Sequence, residues 1–469
     1  MTARRLIPAA FSLLLLASCT TTRNARFTEI DAAASAGDFQ QAVTRIEDER
    51  DSLYSPRDQV LYFLDSGMLY FYDRQYPAAI RQFQEAERLI EEYFTQSVSQ
   101  VAATFLLNDN AQEYSGEDFE DIYLNVFNAV AFLQQGDVDG AFVEVRRINT
   151  KLNLLEDKYQ GLAAGYNRSD DSAVAFETGE SRFYNSALAR YLSLILYRAD
   201  RDYDGARIDW EEMQEAFARQ SNLYDFPVPF DDAVAQRPPE DQARLSVLAF
   251  TGAAPVKRAE TLYVVTFDNR VEIVTASESD AGELVPDGYL AFAYPGVEGG
   301  YRFKFQLPRM ERRGSQVQRI RVVINGEPVG DLGMLEDIEE VAVDTFTVRE
   351  PLIFLKTVTR TIVKGIAAER ATDEMQEAGL NSGSALGLAA GLIGSIATDV
   401  AVDASEQADL RVSRYFPAFA YAGEWFLEPG SHSVEIEYYG SNGLIRVEQL
   451  GPVEVTRDGL NFVTSFHNN

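Results

Sequence analysis

The sequence predicts a multidomain α plus β protein, with an N-terminal α-solenoid of helical repeats followed by an antiparallel β-sandwich-like domain that carries an inserted helical hairpin. Three observations predict it. Apolar residues recur at helical spacing as far as Asn222. From Thr261 the apolar period falls towards two, the signature of half-buried strands. Between the two regimes, Asn222-Leu223-Tyr224-Asp225-Phe226-Pro227-Val228-Pro229 and Arg237-Pro238-Pro239 break the helical pattern.

The N-terminus states an address. Arg4 and Arg5 precede an apolar stretch from Leu6 to Leu16, and Leu16-Ala17-Ser18-Cys19 closes it with small residues before the only cysteine in the chain. Residues 1–18 are therefore expected to be a lipoprotein signal peptide and Cys19 the lipidated first residue of the mature protein. The stretch is too short to span a bilayer as a helix, which takes roughly 20 residues. Polar residues 19–26 are expected to form a tether. With no acid directly after Cys19, the expected location is the outer membrane facing the periplasm, with the inner membrane or cell surface as alternatives.

Composition narrows the function classes. Against 42 Lys and Arg stand 73 Asp and Glu, a net charge of −31, which repels phosphate polymers and disfavours nucleic acid as a partner. A lone cysteine leaves the body of the protein without a disulfide, a zinc-thiolate site or a Cys-His nucleophile. His432 and His467 are the only histidines, and His467 lies in what reads as a frayed tail. No Gly-rich phosphate loop, G-x-S-x-G elbow or H-E-x-x-H helix occurs. The chain is expected to be no enzyme and to need no cofactor or metal. Hydrolysis by two placed carboxylates stays formally open.

In the helical half (27–222) the fullest pattern is Phe63-x3-Gly67-x2-Tyr70-x5-Tyr76-x2-Ala79-x3-Phe83-x2-Ala86. It suits a tetratricopeptide helix pair, with Gly67 and Ala79 permitting close approach and Tyr70, Tyr76 and Phe83 filling the seam. Weaker copies start at Gly37-Asp38-Phe39, Gly136-Asp137-Val138 and Asp202-Tyr203-Asp204-Gly205-Ala206, so four helix pairs are expected. The last two intervals are nearly twice the usual repeat of about 34 residues, so extra helices or loops must intervene. Tyr159 to Phe183, rich in glycine and polar residues, reads as a long loop on the solenoid edge.

After a linker (223–258), the β-rich domain (259–469) opens with a hairpin, Leu262 to Phe267 and Val271 to Val274 around Asp268-Asn269. Further strands are expected at Tyr289–Ala293, Tyr301–Gln306 and Arg319–Ile324 with a turn at Asn325-Gly326. After the turn Leu427-Glu428-Pro429-Gly430 an alternating strand follows, and Val453–Val455 and Asn461–Val463 complete the sheet. The helical insertion (352–404) carries Lys356, Arg360, Lys364 and Arg370 on its polar side. It continues into Gly383-x3-Gly387-x3-Gly391, a strip of small residues that suits close helix contact in a buried hairpin, with a membrane-dipping or oligomerising segment or a mobile loop as alternatives.

Several blocks together resemble an uncharacterised family of bacterial tetratricopeptide-bearing lipoproteins: Asn185-x4-Arg190-Tyr191-Leu192-Ser193, Asp204-x-Ala206-Arg207-Ile208-Asp209, Ser405 to Arg411, and Leu427-x-Pro429-Gly430. The resemblance implies the same architecture and a role at the cell envelope, and it supplies no catalytic residues. Within these blocks Arg190, Asp209, Asp409 and Arg411 are the candidates for an Arg-carboxylate contact that pins the repeats to the following domain. The expected function is a lipid-anchored periplasmic scaffold that binds a protein partner of the envelope. Cell-wall synthesis machinery is the first expected partner and outer-membrane assembly the second. The alternative is a self-assembling or membrane-contacting structural lipoprotein driven by the glycine strip.

Overall fold

A computed structural model describes residues 19–99, 109–167, 178–278, 284–300, 302–381, 407–457 and 459–468. Among the described residues the α-helices of the N-terminal half are α1 (Cys19–Ser35), α2 (Phe39–Asp48), α3 (Arg50–Leu53), α4 (Gln59–Tyr72), α5 (Tyr76–Ser99), α6 (Asp118–Gln134), α7 (Val138–Asn167), α8 (Ala187–Ala199) and α9 (Tyr203–Arg219). α1 takes in the residues read as a tether, and α7 continues through the start of the segment read as a loop. Residues 1–18 and the glycines Gly383, Gly387 and Gly391 lie outside the described residues.

Four turns between paired helices share one construction. Gly37, Arg74, Gly136 and Arg201 each take a positive φ, of 77°, 59°, 74° and 63°. The amide of each following residue then reaches back five residues: Asp38 to Ala33, Gln75 to Tyr70, Asp137 to Phe132 and Asp202 to Tyr197, at 2.8–3.0 Å. This closes the first helix with a left-handed cap. Three of the following residues are Asp, and their carboxylates open the next helix by accepting amides from Gln41, Gly140 and Gly205. One short motif thus stops one helix and starts its partner.

At the best-patterned pair, α4 crosses α5 where Gly67 meets the Phe83 ring. A Cβ added at Gly67 would lie 2.7 Å from that ring. Ala79, Phe83 and Ala86 are wholly buried there, and Tyr76 packs edge-on against Phe71. Phe63 and Tyr70 are only partly buried: the Tyr70 hydroxyl leaves the α4–α5 seam and donates to Glu47 of α2 at 3.0 Å.

Among the described residues the C-terminal half forms three four-stranded sheets. Sheet A runs β12 (Phe462–His467), β1 (Ala243–Thr251), β9 (Phe419–Leu427), β8 (Gly333–Asp337). Sheet B runs β4 (Leu284–Ala293), β3 (Arg270–Glu278), β2 (Val256–Phe267), β5 (Arg302–Glu311). Sheet C runs β11 (Gly443–Val455), β10 (Gly430–Gly440), β6 (Arg319–Ile324), β7 (Glu327–Asp331). All ladders are antiparallel except β1 with β12, which is parallel. The β2–β3 hairpin turns at Asp268-Asn269 and β6–β7 at Asn325-Gly326, both where the sequence places a turn.

Sheet A joins the two halves. Leu248, Phe250, Ala420, Ala422 and Phe466 face the helices and share one core with Phe71 and Phe127. Leu245, Val247, Ala249 and Tyr421 face the other way, into a second core with Ile320, Val322, Val434, Ile436 and Tyr438 of sheet C. Two corrections follow. The segment 223–258 is no linker, because β1 lies inside it and is buried along its whole length. Nor does a domain boundary fall there, because helices and sheet A are built around a common core.

The inserted helix also begins earlier than 352. α10 (Ile338–Asn381) starts directly after β8 and continues through Pro351. Its Phe354 and Val358 close a third core against sheet B, made with Leu262, Ile273 and Phe305. His467, read as tail, ends β12 at 4 % exposure with its ring against Tyr438. No helix among the described residues is long and apolar enough to cross a membrane.

Candidate functional site: a seam of buried charges

Five buried carboxylates lie where the helices meet the sheets and the strap of chain that precedes β9. Asp65 of α4 accepts from Tyr54 Oη at 2.8 Å, Ser413 Oγ at 2.7 Å and the Arg414 amide at 2.8 Å. Glu120 of α6 accepts from Tyr114 Oη, the Glu117 amide and the Ser413 amide. Glu117 is shared by Lys257 of β2 and Arg349 of α10. Glu336 of β8 accepts from Tyr123, Ser186, Tyr224 and the Leu188 amide. Glu424 of β9 is shared by Arg198 of α8 and Arg244 of β1, each at 2.7 Å. A charge taken out of water needs such full pairing, since an unpaired one costs several kcal/mol.

Residues 407–418 form the strap. Arg411 holds Asp409 at 2.8 Å and Asp58 at 3.4 Å, and it donates to the carbonyls of Asp109 and Gln112 at 2.7 and 3.0 Å. Arg414 pairs with Asp31 at 2.6 Å, and Tyr72 donates to the Tyr415 carbonyl. Of the four polar candidates from the sequence, Asp409 and Arg411 therefore sit together at the junction between the helices and the later chain. Arg190 and Asp209 pair at 3.2 Å within the α8–α9 hairpin, with Arg190 also held by Asn185, and they do not reach the sheets.

A cleft with a cavity volume of about 130 Å³ opens between α7, α10 and the strap, walled by Tyr114 and Tyr159. Lys158, Arg349, Lys356 and Arg411 line it. The stripe read as the polar side of a helix thus turns inward: Lys356 pairs with Asp109 at 2.9 Å and Arg360 is 3 % exposed. The side chains of Lys364 and Arg370 lie outside the described part. Lys158 pairs with Asp118, Arg349 with Glu117 and Arg411 with Asp409, so each cation is matched by a carboxylate. The cleft is a junction closed on its own charges. Among the described residues no group of three or more His, Cys, Asp or Glu side chains is placed to hold a metal ion.

Burial divides the carboxylates into two kinds. Burial, reinforced by Glu117, pushes Glu120 up to about 7, and burial raises Asp65 to about 6 despite its three donors. For Glu424, burial is outweighed by Arg198 and Arg244, which hold it at about 2. A carboxyl whose folded pKa is raised stabilises the fold fully below its unfolded value, roughly 4, and loses that contribution as pH rises through the folded value. Glu120→Gln mimics the protonated form at every pH. The stability of the natural protein relative to this variant should therefore fall as pH rises from 5 to 8, read from urea midpoints. A difference that stays level or rises would show that Glu120 does not titrate in this window.

The sequence reading singled out Asp409 and Arg411 and, as a polar stripe, Lys356 and Arg360; the five buried carboxylates and their partners it did not. The seam joins positions hundreds of residues apart, and no local spacing marks such pairs. In comparisons with protein-family models, curated proteins and solved structures, nothing matches the chain.

Proposed function

We propose that the protein is a lipid-anchored scaffold of the bacterial cell envelope, cleaved before Cys19, acylated there and held at the outer membrane facing the periplasm. The helix hairpins are read as a tetratricopeptide-type array that captures a protein partner, and sheets A and C as a β-sandwich-like module that supports it. Cell-wall synthesis machinery is the partner class that the envelope address favours. The observation that carries the reading is the run from Arg4-Arg5 through the apolar stretch to Leu16-Ala17-Ser18-Cys19. What further supports it is a frame stiffened by buried ion pairs, which preserves a binding face in one shape, and exposed Val143, Leu154 and Ile208 on α7 and α9.

Acyl chains contribute about 0.8 kcal/mol per buried methylene, so several chains on one cysteine anchor a protein permanently. In cells fed radiolabelled palmitate, the natural protein should take up label and enter the detergent phase. Cys19→Ala should take up none and stay aqueous. An unlabelled natural protein, or a variant that still enters the detergent phase, would contradict the reading.

A further inference from the structure

Sheet A is notched on its β8 side. β8 accompanies β9 only as far as Gly333 opposite Ala422, whereas β1 stays paired with β9 up to Leu427. Leu332 alone separates β8 from β7, so the chain crosses to sheet C there and leaves Gly423 to Leu427 with β1 on one side and no described strand on the other. Along an antiparallel ladder, alternate residues turn their amide and carbonyl to opposite neighbours. Backbone groups of this stretch therefore point into the notch, and among the described residues they have no hydrogen-bond partner there. Other sheet edges are guarded. β4, β5, β7 and β11 carry Pro286, Pro308, Pro328 and Pro452, and the Thr464 carbonyl of β12 accepts from Arg74. Gly423 to Leu427 contain neither proline nor lysine.

A pocket with a cavity volume of about 200 Å³ lies at the notch. Glu424, Trp425 and Phe426 all touch it, and successive side chains of a strand point to opposite faces, so a pocket touched by three in a row lies at the strand's edge. Pro229 and Phe230 form the facing wall, and Pro229 is pressed against Gly333, where an added Cβ would come within 2.7 Å of it. These walls are held in place: Trp425 Nε1 donates to the Val329 carbonyl at 3.1 Å, Phe230 stacks on Tyr191 with 4.7 Å between centroids, and the Arg244 guanidinium lies 4.8 Å from the Phe426 centroid. Arg244 is turned to Glu424 and to backbone carbonyls. Asp231, exposed at the pocket, gives one oxygen to the Ala233 amide and keeps the other without a partner among the described residues. Asp232 and Glu428, exposed close by in the chain, form no ion pair among the described residues.

We propose that the notch takes an extended segment of a basic protein partner as an added strand beside β9, with one large apolar side chain seated in the pocket. Strand pairing satisfies the open backbone groups. The volume suits a leucine or aromatic side chain, since a cavity of about 150 Å³ already holds a benzene ring. Lysines or arginines flanking that anchor meet Asp231, Asp232 and Glu428. This inference rests on sheet A alone and is independent of the lipid anchor and of the helical array.

The probe is the blocked, dye-labelled heptapeptide Lys-Val-Lys-X-Lys-Val-Lys, with X as Phe, Leu, Trp or Ala, titrated into the full-length protein in neutral detergent micelles and read by fluorescence anisotropy. Saturable binding is expected with a large residue at X, and binding about tenfold weaker with Ala. N-methylation of one set of alternate peptide nitrogens should abolish binding, and of the other set should leave it, because only one set faces β9. Phe426→Ala, at a position 39 % exposed, should weaken binding about tenfold, and Asp231→Asn, which keeps the cap on Ala233, less. No saturable binding by any of the four peptides, equal affinity with Ala and with the large residues, or indifference to both methylation patterns would each overturn the proposal. A dimer in light scattering that dissociates in Phe426→Ala would assign the notch to a second copy of the chain and overturn it as well.

Discussion

Glu424→Gln should destabilise the protein by about 3–5 kcal/mol, the usual consequence of leaving buried charges without their partner. Glu424 pairs with both Arg198 and Arg244, whose side chains are 10 % and 7 % exposed, and it also accepts from Tyr191 and Ser246. Glutamine keeps the volume and removes the charge, so both guanidiniums lose their counter-ion. Because Arg198 belongs to α8 and Arg244 and Glu424 to sheet A, the loss falls on the contact between helices and sheet. Urea unfolding measures it. Replacing all three residues by apolar ones of similar size should recover most of the loss, since such exchanges are often neutral or stabilising. A Glu424→Gln midpoint equal to that of the natural protein would show that the seam contributes little. The same pair predicts acid sensitivity: with Glu424 held at about 2, its contribution is full above pH 4.5 and is lost as pH falls towards 2.

Arg411→Ala should cost a similar amount, about 3–5 kcal/mol, and should also release the strap. Removing this side chain takes the guanidinium away from Asp58, 4 % exposed, and from the largely buried Asp409, along with its hydrogen bonds to the carbonyls of Asp109 and Gln112, while Asp58 keeps its Ser55 donors. The strap has no regular secondary structure of its own, so its order depends on these contacts and on those of Ser413 and Arg414. Limited trypsin digestion reads the local effect. Cleavage after Arg414 should be much faster in the variant than in the natural protein. An unchanged midpoint together with unchanged cleavage would mean that Arg411 does not fasten the strap.

How far the sequence reveals this molecule depends on whether a feature is local. The helix turns are local: a left-handed residue followed by Asp is written in four or five letters, at Gly37, Gly136 and Arg201 alike. The β2–β3 hairpin and the Asn325-Gly326 turn are legible for the same reason, because one solvated face leaves an alternating pattern. β1 was concealed by the converse, since a strand buried on both faces has no alternation and reads as a short apolar piece of linker. α10 was half concealed by Pro351 and by the β-branched residues before it, whose strand-like pattern is overridden by packing on α6 and sheet B.

The candidate site was legible only in part. Arg411 and Asp409, two residues apart, signalled a local ion pair, but nothing near them names Asp58, which lies 353 residues away. Glu424, Glu336 and Glu120 look like ordinary surface acids until the fold encloses them. Lys356 and Arg360 misled in the opposite direction, because a basic stripe is usually a solvated face and here it turns towards Asp109.

The most direct test of an anchored scaffold is in-cell crosslinking of the intact protein followed by mass spectrometry, with Cys19→Ala as control. Crosslinks from the helical half to one envelope enzyme or assembly factor, lost in the control, are the predicted result. Crosslinks only between copies of the protein, or an identical partner set with and without Cys19, would contradict it.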